Sequence, residues 1–268
     1  MQAPNRRTVV AEKTPSNRVA LVTGSATGLM RGVCVSLARR GYAIAANYRP
    51  SRGHADETVE AVRAERVPVA AFPADVSVPA EAAALVAATF GRFGRVDVLA
   101  CGAGPLLIKD LFETTVDDFY AMVAGNLGSV FYCAKAVLPL MRDQGKGRII
   151  GFAMTGSETT AGWRHMGAHA AAKSGMVALL RSLALEEASF GITCNAIAVG
   201  DIRQKKIDRR EALRRRDPSN PTRRSGSWED VGDAVAYLAS DEASYVNGAV
   251  LPVNGGWQGF LHKHAAWT

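Results

Sequence analysis

Short apolar runs alternate along this chain with longer amphipathic ones. RVALVTG, YAIAANY, PVAAFPA, VDVLACG, RIIGFAM, ITCNAIA and AVLPVNGG are the seven apolar runs. Helical patterns fill most of the gaps, the first over about 28–40. Strands alternating with helices of this length predict βαβ units and a parallel sheet covered by helices on both faces. The expected fold class is α/β, a doubly wound seven-stranded parallel sheet. No internal repeat and no second boundary interrupt the pattern. A single domain is therefore expected over 18–258, between polar tails at 1–17 and 259–268. One stretch, about 199–227, is long and irregular, which a compact domain tolerates mainly as a functional loop or lid. Asp217-Pro218 and Asn220-Pro221 break helices, so a helical piece of about 206–216 should precede an irregular remainder.

The composition changes this picture little. The chain has 268 residues, 48% hydrophobic and 21% charged, which suits one sizeable domain. No apolar run reaches the length of a membrane span, and the N-terminus lacks the apolar core of a secretory signal. Cys34, Cys101, Cys133 and Cys194 lie far apart in sequence and form no CxxC pair. They read as reduced thiols in the cytoplasm and argue against structural zinc. His262 and His264 read as a solvated tail, so no metal site is expected.

The formal charge is +7 but unevenly spread. Between Asp201 and Ser227 stand ten Lys and Arg against four Asp and Glu. That leaves the rest near neutral, so neither a nucleic-acid surface nor a membrane is the expected partner. The basic segment has two readings. Over a pocket it would favour an anionic substrate; otherwise it is a solvated face paired through Asp208, Glu211 and Asp217.

Two stretches carry chemistry. The first apolar run leads into TGSATGLMRG, where glycines let the backbone approach a pyrophosphate and a helix start offers free N–H groups. The second, HMGAHAAAKSG at 165–175, sets His169 and Lys173 one helical turn apart.

These and further motifs make the chain resemble the short-chain dehydrogenases/reductases from about residue 17 to 258. The family's TGxxxGxG is matched by Thr23-Gly24-Ser25-Ala26-Thr27-Gly28-Leu29-Met30. Its adenine-side aspartate is matched by Asp75, followed by Val76, and its NNAG by Cys101-Gly102-Ala103-Gly104. Asn126 matches its helix asparagine, and His169-x-x-x-Lys173 stands in place of YxxxK. Asn195-Ala196-Ile197-Ala198-Val199-Gly200 matches NAIAPG, and Val253-Asn254-Gly255-Gly256 matches VDGG. The likeness is greatest to acyl-carrier-protein ketoreductases and pteridine reductases. It implies a Rossmann-type fold and a nicotinamide cofactor held by Gly24, Ser25, Thr27, Gly28, Leu29, Asp75, Val76, Gly102, Ala103, Gly104, Lys173, Gly200 and Ile202. It also implies a homodimer or homotetramer paired through long helices at about 114–143 and 167–190.

Four departures cluster at the site. Met30 replaces a glycine, Cys101-Gly102 replaces Asn-Asn, Val199 replaces a proline, and His169 replaces the tyrosine that would donate the proton. The family serine lies thirteen residues before that tyrosine. Here that position is Gly156, so Thr155 or Ser157 is left to supply the hydroxyl, and the segment looks two residues longer than usual.

An acidic residue ending the second strand would repel a 2′-phosphate. Tyr48 stands there instead, followed by Arg49 and Ser51. Arg49 can pair with phosphate and Ser25 can add a hydroxyl, which favours NADP(H).

Lys173 should push the His169 pKa down, so that the imidazole is mostly neutral near pH 7. Three readings follow. The chain reduces a carbonyl or imine in a small molecule or carrier-linked thioester with NADPH, using His169, Lys173, Asn126 and Thr155 or Ser157. Or it binds a nucleotide without efficient turnover, as a sensor. Or His169 is the base of an isomerase or lyase.

Overall fold

The computed structural model describes residues 17–257 except 201 and 203–206. The two tails, with His262 and His264, lie outside the described residues, as do Arg203, Lys205 and Lys206 of the basic segment.

All seven expected strands form: β1 (Val19–Thr23), β2 (Ala43–Tyr48), β3 (Val69–Pro73), β4 (Val98–Cys101), β5 (Gly147–Met154), β6 (Ile192–Val199) and β7 (Val250–Val253). They join in one parallel sheet of order β3-β2-β1-β4-β5-β6-β7. The chain builds outward from β1 to β3, then crosses to β4 on the other side of β1. This reversal opens a crevice beyond the carboxyl ends of β1 and β4, where open α/β sheets bind ligands.

Both faces of the sheet are covered. On one, α3 (Pro79–Phe93), α5 (Ser129–Asp143) and α6 (Gly167–Glu187) enclose a core containing Leu99, Val137, Ile149, Met176 and Leu180. On the other, α1 (Gly28–Arg39), α2 (Asp56–Arg63) and α8 (Trp228–Leu238) enclose one containing Val22, Val33, Leu37, Ile44 and Val235. Helices α1 and α8 meet at two glycines. A Cβ on Gly32 would stand 2.5 Å from Trp228 Cβ, and one on Gly232 would run into Ser36. Ser36 is buried, and its hydroxyl has no hydrogen-bond partner.

Helix α4 (Val116–Val123) continues through a π-helical turn, Ala124–Gly128, into α5. The 28-residue helix so formed reaches a mean hydropathy of 1.4 in its most apolar window, long and apolar enough to cross a membrane. The sequence reading passed over it because Asn126, Ser129 and Lys135 interrupt any continuous apolar run. Among its buried positions, Met122, Asn126, Val130, Cys133, Val137 and Met141 recur every three or four residues, with Gly125, Ser129 and Ala134 beside them, as one core-facing stripe.

The cysteines, far apart in sequence, include three that share one core cluster, Cys101, Cys133 and Cys194; all four are free thiols. One expectation needs correction. The helix in the basic segment is shorter than 206–216: α7 spans Arg209–Arg214. Asp208 caps it by accepting from the Glu211 N–H at 2.7 Å, and the chain turns extended at Arg215. Beyond it, Arg216 forms an antiparallel bridge with Arg224.

Candidate active site

The turn after β1 is shaped by two left-handed glycines, Gly24 at φ 68° and Gly28 at φ 62°. A Cβ on Gly24 would lie 2.8 Å from Ala103 Cα, so the turns after β1 and β4 touch backbone to backbone. Thr23 Oγ1 accepts from the Ala103 N–H at 3.2 Å. Helix α1 begins at Thr27 with no side-chain cap and no acidic residue in its first turn. Its first N–H groups, at Gly28 and Leu29, and the positive end of its dipole are thus left for an anion.

The turn is held from β2 by Asn47, which sequence reading missed. Its Oδ1 accepts from the Gly24 N–H at 3.2 Å, and its Nδ2 donates to the carbonyls of Phe72 (3.2 Å) and Ala74 (3.1 Å). A lone amide inside the apolar run YAIAANY was the available signal. Ser25 needs correction. It is fully buried, and its hydroxyl donates to the Asn47 carbonyl at 3.0 Å, so it braces the turn and does not face a 2′-phosphate. Thr58 closes the brace by donating to the Ser25 carbonyl at 2.7 Å.

At the end of β2, Tyr48 lies against His54, ring centroids 5.9 Å apart, and Ser51 is exposed in a short 3₁₀ turn. The expected phosphate partner and the expected adenine partner meet each other: Arg49 Nε stands 3.0 Å from Asp75 Oδ2. Burial acts to raise the Asp75 pKa, but hydrogen bonds from the Ser77 N–H and hydroxyl, with the Arg49 charge, hold it below the usual carboxylate range. Val76 is buried beside it.

The departures at Met30 and Gly102 fit each other. Met30 is buried, and a Cβ on Gly102 would run into its thioether. The methionine fills the space that a side chain at 102 would take and packs into the core cluster with Val33 and Ala100.

The chemical residues gather at the ends of β4, β5 and α6. His169 is 8% exposed. Its Nδ1 lies 3.1 Å from the Pro105 carbonyl oxygen, which also accepts from Asn126 Nδ2 at 3.0 Å. One carbonyl therefore joins the histidine to the asparagine of the π-turn, a feature frequent at functional sites. Asn126 Oδ1, over Gly104, has no hydrogen-bond partner. Lys173 Nζ donates to the Phe152 carbonyl at 2.6 Å. Burial lowers its pKa to about 8, against the opposing influence of Cys101. Burial, and then the Lys173 charge, lower the His169 pKa to about 4, opposed by the Pro105 hydrogen bond. The direction matches the sequence reading, but burial is the larger cause.

The two candidate hydroxyls differ. Thr155 Oγ1 donates to the Val199 carbonyl at 3.3 Å, whereas Ser157 Oγ is buried without a partner. Ser157 sits in a 3₁₀ turn, Ser157–Thr159, that packs against α6. Gly156 before it adopts φ 90°, and the kink separates the two hydroxyls.

Across the crevice, the Gly200 N–H donates to the Val253 carbonyl at 3.1 Å, and Ile202 is buried. A Cβ on Gly200 would lie 2.6 Å from Asn254 Cα, leaving no room for a side chain. The Trp163 and Trp257 rings meet at 5.7 Å, and Leu106 and Ile108 are exposed on the loop after β4. Several arginines of the basic segment are paired within the protein. Arg224 makes two bonds to Asp230, at 2.7 and 2.9 Å; Arg209 reaches Asp233 at 2.8 Å; and Arg215 pairs with Glu211.

Comparison with known proteins agrees with this geometry. The family profile described as Enoyl-(Acyl carrier protein) reductase matches residues 24–258. YtkK of Bacillus subtilis, described no further than as an oxidoreductase, is 36% identical over 245 residues, 89% of this chain and 96% of its own length. The 3-oxoacyl-[acyl-carrier-protein] reductase FabG of Staphylococcus epidermidis is 34% identical over 253 residues, 90% of this chain and 98% of its own. The crystal structure of acetoin dehydrogenase YohF from Salmonella typhimurium superposes with a TM-score of 0.81 at 30% identity, covering 89% of this chain and 95% of that one.

Proposed function

This chain belongs to the short-chain dehydrogenase/reductase family of nicotinamide-dependent oxidoreductases, and from that premise we propose that it is an NADP(H)-dependent enzyme interconverting a carbonyl and the corresponding alcohol. The observation that carries the reading is the unpartnered Ser157 hydroxyl, buried at the same end of the sheet as His169 and Lys173.

The crevice fits the cofactor. The glycine turn and the uncapped start of α1 would receive the pyrophosphate, with Gly102, Ala103 and Gly104 after β4 and Gly200 after β6 at the neighbouring strand ends. Lys173 would leave the Phe152 carbonyl for the ribose hydroxyls. When bound, the nicotinamide supplies or accepts the hydride. Ser157 hydrogen-bonds the reacting oxygen, and His169 exchanges the proton with it. Asn126 holds the Pro105 carbonyl that orients His169. A neutral histidine also suits proton abstraction beside a carbonyl, so isomerisation is the second reading. Turnover without any change in nicotinamide absorbance would select it.

Arg49 supports NADP(H) over NAD(H). Its pair with Asp75 is half-exposed and worth less than about 1 kcal/mol, so the guanidinium is released to a 2′-phosphate at little cost. A charge-assisted phosphate bond contributes about 1.5–3 kcal/mol, so NADPH should bind roughly tenfold or more tighter than NADH. Arg49→Ala should weaken NADPH alone. Titration by cofactor fluorescence tests the cofactor, and absorbance at the nicotinamide band with a panel of ketones and alcohols tests the reaction. Equal affinities remove the NADP(H) assignment.

Substrates with a neutral carbonyl or alcohol suit the site best, because Arg209, Arg215 and Arg224 are already paired. A homo-oligomer is supported by a groove of about 580 Å³ between α5 and α6, lined by Phe131, Leu138 and Leu183. Phe131 in that groove is 44% exposed.

A further inference from the structure

We infer that the Pro105 carbonyl fixes His169 with Nε2 as a proton acceptor, so that at neutral pH this site takes the proton of an alcohol and oxidises it with NADP⁺. The inference rests on the hydride-exchange reading and gives it a direction and a substrate class.

A carbonyl oxygen can only accept a hydrogen bond, so the imidazole nitrogen 3.1 Å from Pro105 must carry the hydrogen. A neutral imidazole has one N–H, which leaves the other nitrogen with its lone pair. A half-turn of the ring would set the carbon Cδ2 in place of Nδ1 and lose this bond, so the bond selects the ring orientation as well. The carbonyl is itself fixed. It accepts from Asn126 as well, and the Pro105 ring packs so closely on the π-turn that a Cβ on Gly125 would strike its Cδ.

Burial keeps His169 neutral, and the charge nearest to it acts in the same direction. Lys173 lies one turn further along α6, with the Cys101 thiol of β4 near its ammonium. Three ionisable groups of the neighbouring loops are turned to other partners, Glu158 to the Gly156 N–H, Lys109 to Asp118, and Asp110 to His165, while Arg164 in the loop before α6 is exposed. With its pKa near 4, the imidazolium makes up about one molecule in a thousand at pH 7.

In the oxidation, the carbinol C–H bond breaks and its electron pair leaves with the hydrogen for the nicotinamide of NADP⁺. The O–H bond breaks, its proton passes to His169 Nε2, and the C=O bond forms. The substrate loses two electrons and NADP⁺ becomes NADPH. The imidazolium then yields its proton to water. The reverse reaction must begin from that scarce imidazolium. Hence kcat/KM for oxidation should be level from about pH 5 to 7.5, whereas kcat/KM for reduction should fall tenfold per pH unit above about 4. His169→Tyr replaces the fixed acceptor by a phenol, and should make reduction level through the neutral range.

The test has two arms. Long-range ¹H–¹⁵N correlation on histidine-labelled protein without cofactor, with His169→Gln for assignment, should show the His169 resonance as the Nδ1–H tautomer from pH 5 to 8. Secondary alcohols and their ketones, from cyclohexanol and cyclohexanone to hydroxyacyl and oxoacyl thioesters of N-acetylcysteamine, should give the two pH profiles above with NADP⁺ and NADPH. An Nε2–H tautomer, an imidazolium at neutral pH, or a reduction rate level from pH 5 to 8 overturns the inference. The expected tautomer with cofactor binding but no nicotinamide turnover in either direction overturns the functional reading instead, and the substrate class with it.

Discussion

At the scale of single residues, the site separates groups that look alike in sequence. Thr155 and Ser157 stand on either side of Gly156, but one hydroxyl is tied to Val199 and the other is buried and unpaired. Ser157→Ala should therefore lower kcat about a hundredfold with cofactor affinity unchanged, whereas Thr155→Val should leave kcat near its starting value and lower stability by about 1 kcal/mol. Steady-state kinetics beside thermal unfolding distinguish them; equal kinetic losses would assign the two hydroxyls equal roles. Sequence could place His169 and Lys173 on one helix face, because four residues make one turn. It could not give the histidine its hydrogen-bond partner, since Pro105 lies 64 positions away. It also assigned Ser25 to the phosphate, because burial of a turn residue depends on the strand behind it.

At the scale of elements, the seven strands were legible because parallel strands, apolar on both faces, read as compact hydrophobic runs. The π-turn was not, as one inserted residue barely disturbs a helical pattern. Nor were the bounds of α7, whose start is set by the cap at Asp208 and which stops where the chain turns extended at Arg215, before the prolines. The α1–α8 contact makes a prediction of unusual sign. Ser36 carries a buried hydroxyl without a partner, so Ser36→Ala should stabilise the fold by about 1 kcal/mol. Gly232→Ala, which drives a methyl into Ser36, should destabilise it by about 1–3 kcal/mol. Denaturant midpoints measure both, and a loss of stability in Ser36→Ala would mean that the hydroxyl has found a partner.

At the scale of the whole molecule, charge and apolar surface divide the work between two regions. Arg209 and Arg224 of the basic segment pair with Asp233 and Asp230, contacts that the segment's own count of charges could not disclose, because both aspartates belong to the next helix. The apolar surface beside α5 and α6 remains open. Phe131→Asp, in the groove between α5 and α6, should shift the protein from oligomer toward monomer in light scattering; an unchanged mass would place the interface elsewhere. The interlocked pair at Met30 and Gly102 bears on the history of the sequence. Restoring glycine at 30 alone would open a void behind the turn, and adding a side chain at 102 alone would meet the thioether. Each single step back toward the family pattern descends in stability, and only the two together avoid the loss. For a chain carrying this pair, return to the family pattern by one mutation at a time runs uphill.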